Sequence, residues 1–365
     1  MAEQIPIFVN ARFLCEPVTG IQRWARETLA ALDQLIEEGV IDGEQYKFIL
    51  LSPTLPSDMP GYRHLNLKVK GLFRSHFWEQ LELPFIAKGF LINFKNTAPV
   101  FKKNMSMQIM DLQPFARPDT HSSVFNALYK TIIPRAARSA KIITCLSEST
   151  VSEVQKYLGV SRDKCVVTES GHEHILRFSR DDSILCKHAL DKSKYLLAVS
   201  SLNPNKNFAA ILRAMTLAGV DNKLVIAGAA NPKVFRDQGA DKLPDNAVYV
   251  GRVSDEQLRS LYENALGFVF PSFYEGWGLP PGEAMLLGCP VISSGTSSLP
   301  EVCGDAVLYC DPADDNSIAE QITRLCNDTV LRDKLIADGL TQSQKFTWRQ
   351  VALNVWTSIE KACRE

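Results

Sequence analysis

The chain has 365 residues, 45% of them apolar and 22% charged, with a formal net charge of −1. That length exceeds one comfortable core and predicts two domains, while a balance so near zero argues against a nucleic-acid partner. Nine cysteines without any C-x-x-C spacing argue against a disulfide framework or a zinc site, and read as reduced, packed thiols of a cytoplasmic protein.

In chain order, short apolar runs fall at residues 5–9, 46–51, 107–110, 141–145 and 164–167, then at 195–199, 223–227, 247–250, 267–270 and 290–292. They mostly lack strict alternation, as strands covered on both faces should. Between them lie stretches of 3.6-residue periodicity at 21–35, 151–158, 208–218 and 255–265, the last preceded by Ser254 as a plausible N-cap. Alternating strand and helix predicts an α/β protein with parallel sheets. The polar stretch 179–193 divides the series, giving an N-terminal domain 1–180, a C-terminal domain 181–345 and a closing amphipathic helix 346–365. Met1-Ala-Glu-Gln-Ile-Pro runs straight into the first strand, so no signal peptide is expected. No apolar run approaches the ~18 residues of a membrane span.

Residues 61–105 stand apart, with eight Lys or Arg against two acids, interleaved with Tyr62, Phe73, Phe77, Trp78, Phe85, Phe90, Phe94 and Phe101. The plain reading is a solvated basic face over core aromatics. The functional one is a surface that meets an anionic, amphipathic partner, such as a lipid-linked substrate or an acidic bilayer.

Between Glu275 and Glu283 the chain reads E-G-W-G-L-P-P-G-E, after a strand-like run and before a helix that Gly288 would close. In an open parallel sheet, strand, glycine-rich loop and helix bring a helix N-terminus to the carboxyl ends of the strands. Free N–H groups there suit a phosphate, and two flanking carboxylates suit hydroxyls of ribose or sugar.

These residues, with Gly288-Cys-Pro-Val-Ile, Ser298-Leu-Pro-Glu-Val, Val250-Gly-Arg-Val-Ser and, near the start, Asn10-Ala-Arg-Phe-Leu and Thr19-Gly-Ile-Gln-Arg, resemble the retaining glycosyltransferases of family four. The likeness is to the mannosyl- and rhamnosyltransferase-like branch; it spans nearly the whole chain and is patchier over 40–135. It implies the GT-B architecture, in which two Rossmann-like domains face one another across a cleft and the C-terminal helix returns to the first. It implies a cytoplasmic enzyme, soluble or peripheral at the inner face of the membrane. That enzyme would move a hexose or deoxyhexose from a nucleotide-diphosphate sugar, of which GDP-mannose is one, to a saccharide or polyprenyl-linked acceptor. The setting would be polysaccharide, O-antigen or lipopolysaccharide synthesis, without metal or other cofactor.

By the same resemblance Glu275 holds the donor sugar, Glu283 the ribose, and the N–H groups of Gly278 and Leu279 the diphosphate. Lys206 steadies the leaving phosphate, and Gly20 in the first loop lets the backbone approach the ligand. Three departures stand out. Ser201 and Asn205 occupy positions where relatives carry Arg, so Arg23 or Arg252 becomes a substitute cation. Met110 stands where relatives often have His, leaving Asp111 as the polar candidate, with His174 or Glu173 of Gly171-His-Glu-His able to contact sugar or acceptor. These departures keep a non-catalytic nucleotide-sugar-binding protein open as an alternative; an epimerase of the same fold would need a further acid/base pair at the sugar besides Glu275 and Glu283. The sequence names neither donor base nor sugar, acceptor nor linkage.

Overall fold

The computed structural model describes residues 4–199, 203–228 and 246–364. They form two compact units: the residues up to Gly171 together with those from Thr347 onward, and the residues between, His172–Phe346.

The first unit is built on a seven-stranded sheet of β1 (Ile5–Asn10), β2 (Tyr46–Ser52), β3 (Asn66–Val69), β4 (Phe90–Asn93), β5 (Met105–Ile109), β6 (Ile142–Cys145) and β7 (Cys165–Val167). Their order is β3-β2-β1-β4-β5-β6-β7, with all neighbours parallel. All five residues of β5 are buried, as expected for a strand covered on both faces. The helix Gly20–Glu37 begins with a capping box between Thr19 and Gln22 and buries Trp24, Leu29 and Leu32. The closing helix Trp348–Arg364 belongs to this unit. Its Trp356 meets the rings of Tyr46 at 4.7 Å and Phe48 at 5.9 Å, and Arg349 pairs with Glu38.

The second unit carries β8 (Tyr195–Val199), β9 (Lys223–Ala227), β10 (Ala247–Gly251), β11 (Gly267–Phe270), β12 (Val291–Ser294) and β13 (Leu308–Cys310), in the order β10-β9-β8-β11-β12-β13 and again parallel. The division falls after Gly171 rather than after residue 180. Residues 172–182 are tied into the second unit: His174 lies against Glu283, Arg259 donates to the carbonyls of Leu176 and Phe178, and Ser260 donates to Asp182. Polar composition there marks exposure, not a boundary.

In both sheets the strand order reverses at one place, between β1 and β4 and between β8 and β11. The crevice outside the carboxyl ends of two such strands is where open α/β sheets hold ligands. At the first reversal Asn10 bonds to both Asn93 and Glu79, and Arg12 reaches the same Glu79 at 3.2 Å. Glu79 is fully buried, yet its neighbours outweigh its desolvation: the bond from His76 and the Arg12 charge hold its carboxyl down at about 2.

The stretch 61–105 divides between the two sequence readings. Trp78, Phe90 and Phe94 are core residues, and β4 runs through the segment. Phe73, Phe77, Leu81 and Phe85 recur every fourth residue and stand 50, 70, 54 and 77% exposed, with Phe101 at 89%. Lys68, Lys70, Arg74, Lys88 and Lys103 are exposed in the same segment.

Candidate active site

The second reversal is built from two loops sewn together. One is the turn Pro204–Lys206 beyond β8; the other, residues 271–278, follows β11. The Phe273 N–H donates to the Asn205 carbonyl at 2.9 Å, and the Asn205 side chain, 2% exposed, donates to the Tyr274 carbonyl. Asn207, in the left-handed region at φ 58°, donates to the carbonyls of Pro271 and Pro312. Asn205 is therefore a loop clamp. Ser201, the other position lacking the Arg of relatives, lies outside the described residues.

This stitching sets Lys206 Nζ 2.5 Å from Glu275 Oε1 and 5.3 Å from the centre of the Phe270 ring. Ser272 Oγ donates to the same Oε1 at 2.6 Å. The Glu275 backbone is held as well: its N–H donates to Ser297 Oγ at 2.8 Å, and its carbonyl accepts from Ser297 and Ser298 at 2.7 and 2.9 Å. Glu275 is thus fixed at both ends, with its side chain 12% exposed.

The helix Leu279–Leu286 starts at Gly278, whose φ of 130° excludes other residues; a Cβ there would also lie 2.8 Å from Leu299. Pro280 and Pro281 carry no N–H, so Gly278 and Leu279 are the donors this helix start presents. Glu283 lies beyond the first turn, so it is not a simple dipole-compensating acid. It is 8% exposed, with His174 Nε2 3.0 Å from its Oε1. Burial and then the charge of Glu283 push the phenol of Tyr262 well above its ordinary range.

His174 is 1% exposed and faces Glu283. Its neighbour His172 was not among the sequence candidates. It is fully buried, and the Trp277 indole N–H donates to its Nε2 at 3.2 Å, which makes that nitrogen the acceptor of a neutral ring. The rings of Trp277 and Phe346 pack at 5.1 Å, and Phe346 meets His172 at 5.8 Å. The signal for His172 was the second glycine of Gly278-Leu-Pro-Pro-Gly282-Glu283: Gly282 must be glycine because the His172 ring occupies the place of its Cβ.

Burial holds His172 down at about 4, against an ordinary 6.5. Above pH 6.5 both folded and unfolded chains carry it neutral. Between about 6.5 and 4 only the unfolded chain takes up the proton, so stability falls by roughly 3 kcal/mol across that window. Unfolding by urea from pH 7.5 to 4.5 is expected to show this loss, and His172→Gln to flatten it. An equal slope in the variant refutes the assignment.

The remaining candidates sit elsewhere. Arg252 is exposed in the bend after β10. Gly20 opens the helix Gly20–Glu37 at an exposed position, with Arg23 one turn on and donating its N–H to the Thr19 carbonyl. Asp111 follows β5 and accepts from the Gln113 N–H at 3.0 Å, while Met110 is buried and its N–H donates to Asn96. In the second unit Glu275, Lys206, Gly278, Leu279, Glu283 and His174 form one neighbourhood; Asp111, Gly20 and Arg23 belong to the first unit.

Residues 182–341 match the family model described as glycosyl transferases group 1. The chain is similar to the O-antigen chain mannosyltransferase B of Escherichia coli, 32% identical over 65% of each chain. It is also similar to the O-antigen chain mannosyltransferase RfbU of Salmonella typhimurium, 26% identical over 66% of each. The match therefore covers less than two thirds of these relatives. Among solved structures, sucrose-phosphate synthase from Thermosynechococcus elongatus superposes with a TM-score of 0.75 at 16% identity, covering 98% of this chain and 99% of the other. WaaG, a glycosyltransferase involved in lipopolysaccharide biosynthesis, gives 0.71 at 14%, covering 98% and 99%. The fold is the two-domain GT-B fold, and residues 182–341 are similar to the group 1 glycosyl transferases.

Proposed function

We propose that the protein is a hexosyltransferase that moves a mannose-like sugar from a nucleotide-diphosphate sugar to a saccharide or lipid-linked acceptor, with retention and without metal, in O-antigen or related polysaccharide synthesis. The observation that carries the reading is the Lys206–Glu275 pair beside the Gly278–Glu283 helix start, at the place where the strand order of the second sheet reverses. The names of the O-antigen mannosyltransferase relatives support the sugar class and setting, and GDP-mannose is the donor we propose.

In this reading Glu283 accepts from the ribose, the Gly278 and Leu279 N–H groups hold the diphosphate, and Glu275 accepts from sugar hydroxyls. The acceptor oxygen bonds to the anomeric carbon on the face the phosphate leaves. The electron pair of the broken bond goes to the phosphate oxygen, which also takes the hydroxyl proton. Lys206 stabilises the charge that grows there.

The two glutamates separate in a binding experiment. Glu283→Ala should cost roughly 1–3 kcal/mol of nucleoside-diphosphate affinity by calorimetry. Glu275→Ala should leave that affinity nearly unchanged while lowering turnover. Equal losses in both, or binding abolished by a chelator, overturn the assignment.

Among the described residues no helix is long and apolar enough to cross a membrane. The exposed apolar side chains of Phe73, Phe77, Leu81 and Phe85, with exposed lysines in the same segment, support peripheral contact with an anionic bilayer at the inner face of the membrane. Sedimentation with vesicles of 30:70 phosphatidylglycerol to phosphatidylcholine (about 30% anionic, enough for polybasic attraction) should fall in Phe77→Asp and in high salt. Unchanged sedimentation in both refutes it.

A further inference from the structure

His174 lies in the turn Glu173–Arg177 of the second unit, 1% exposed, with its Nε2 3.0 Å from Glu283 Oε1. An ionised carboxylate has no proton to give, so Nε2 carries the proton and donates it along that bond. That nitrogen is spent on Glu283 and is not offered to a sugar hydroxyl. At this burial the ring has no open edge for one either. His174 therefore acts on whatever Glu283 binds, and does so through Glu283.

The turn that carries His174 is gripped from the helix Asp255–Asn264. Arg259 donates to the carbonyls of Leu176 and Phe178 at 2.9 and 2.8 Å, and its Nε is held by Glu263 at 2.8 Å. Within the turn the Ile175 N–H donates to the His172 carbonyl at 3.4 Å. The same helix brings Tyr262, fully buried, into the field of Glu283; burial and then that charge keep its phenol protonated. His172 does not compete for the carboxylate, because its Nε2 already accepts from Trp277. Glu283 is thus set by two elements: its own helix Leu279–Leu286 fixes the backbone, and the turn fixes Oε1. An unheld glutamate spreads over many rotamers and loses them when a ligand binds, which weakens binding; one fixed beforehand does not.

Resting on the ribose reading of Glu283 above, we propose that His174 is a positioning residue, whose Nε2–H holds the Glu283 carboxylate in the orientation that accepts from the ribose hydroxyls. His174 then governs nucleotide affinity and ribose recognition, and touches neither the transferred sugar nor the acceptor.

Calorimetry with GDP and with its dideoxyribose counterpart, which lacks both ribose hydroxyls, tests this directly. The wild type should bind GDP about tenfold more tightly than the dideoxy compound, the worth of hydrogen bonds to a buried carboxylate. His174→Gln places an amide nitrogen where Nε2 stood and should keep most of that preference. His174→Asn places it at the level of Nδ1, short of Oε1, and should shrink the preference to within about twofold. The preference is a ratio taken on one preparation, so a variant that folds only in part still reports it. In turnover, His174→Asn should raise the donor KM about tenfold while kcat and the acceptor KM stay within about twofold. Wild-type preference kept in His174→Asn, preference lost as fully in His174→Gln as in His174→Asn, or a fall in kcat with the donor KM unchanged overturns the proposal and leaves the ribose role of Glu283 standing. A wild type that binds both nucleotides alike, or neither, refutes that ribose role itself, and the proposal falls with it.

Discussion

Lys206→Ala is expected to lower turnover by about 10²–10³, the worth of one preorganised donor at a developing oxyanion. Lys206 is held by the sewn loops and lies 2.5 Å from Glu275, so its position is set before any ligand arrives. Removing it also leaves Glu275 as a carboxylate only 12% exposed without its cation, which adds to the loss. Lys206→Arg should recover part of the rate, limited by the different geometry of a guanidinium. Asn205 is committed to the Tyr274 carbonyl, so the burden on Lys206 is larger than it would be beside a second cation. Rates at saturating donor decide it. Near-normal turnover in Lys206→Ala with a large loss in Arg252→Ala or Arg23→Ala would move the role to that arginine.

Gly282→Ala should be the most damaging small substitution in the second unit. Its Cβ would lie 2.2 to 2.4 Å from three atoms of the His172 ring, far inside contact distance. The ring cannot retreat, since Trp277 and Phe346 pack around it. Overpacking of this kind costs about 1–3 kcal/mol, which in a unit of this size lowers the melting point by about 2–4 °C per kcal/mol. Nucleoside-diphosphate affinity should fall too, because Glu283 is the next residue. Adding His172→Ala should restore part of the stability, a non-additivity measurable in a double-mutant cycle. A melting point unchanged in Gly282→Ala would show that the contact is not tight.

Much of this was legible in the chain itself. Helix 208–218 and the start at Ser254 were written in local periodicity and capping, which short-range physics decides, and the structure repeats them as Phe208–Ala218 and a Ser254–Gln257 capping box. Gly288, in the left-handed region just past its helix, was legible for the same reason. β3, β4 and β13 were not. β4 is four buried residues inside a basic, aromatic stretch, and β13 is three residues long, too short for any period to show. At the site, the glutamates stood out through their spacing and Lys206 through the family resemblance, but the partners that fix them did not. Ser297 and Asn205 act through hydroxyl and amide bonds to backbone far along the chain, and such pairings leave no local mark. His172 was hidden likewise, since its requirement is recorded as the absence of a side chain at Gly282.

The closing helix gives the molecule an order of assembly that differs from its order in sequence. The segment between Gly171 and Thr347 is continuous, so it holds all of its own strands once it has been synthesised. The first unit has all seven of its strands by Val167 but lacks its closing helix. Its Tyr46 and Phe48 wait for Trp356, and the side of the helix Gly20–Glu37 that the last helix covers stays open until some three hundred residues later have left the ribosome (about 15–60 s at ~5–20 residues per second). The unit begun first is therefore finished last, and during translation the insert can reach its native state while its host is still sticky and incomplete. A nascent chain stalled before Trp348 would expose that apolar face, which makes it the natural point for chaperone capture or for aggregation.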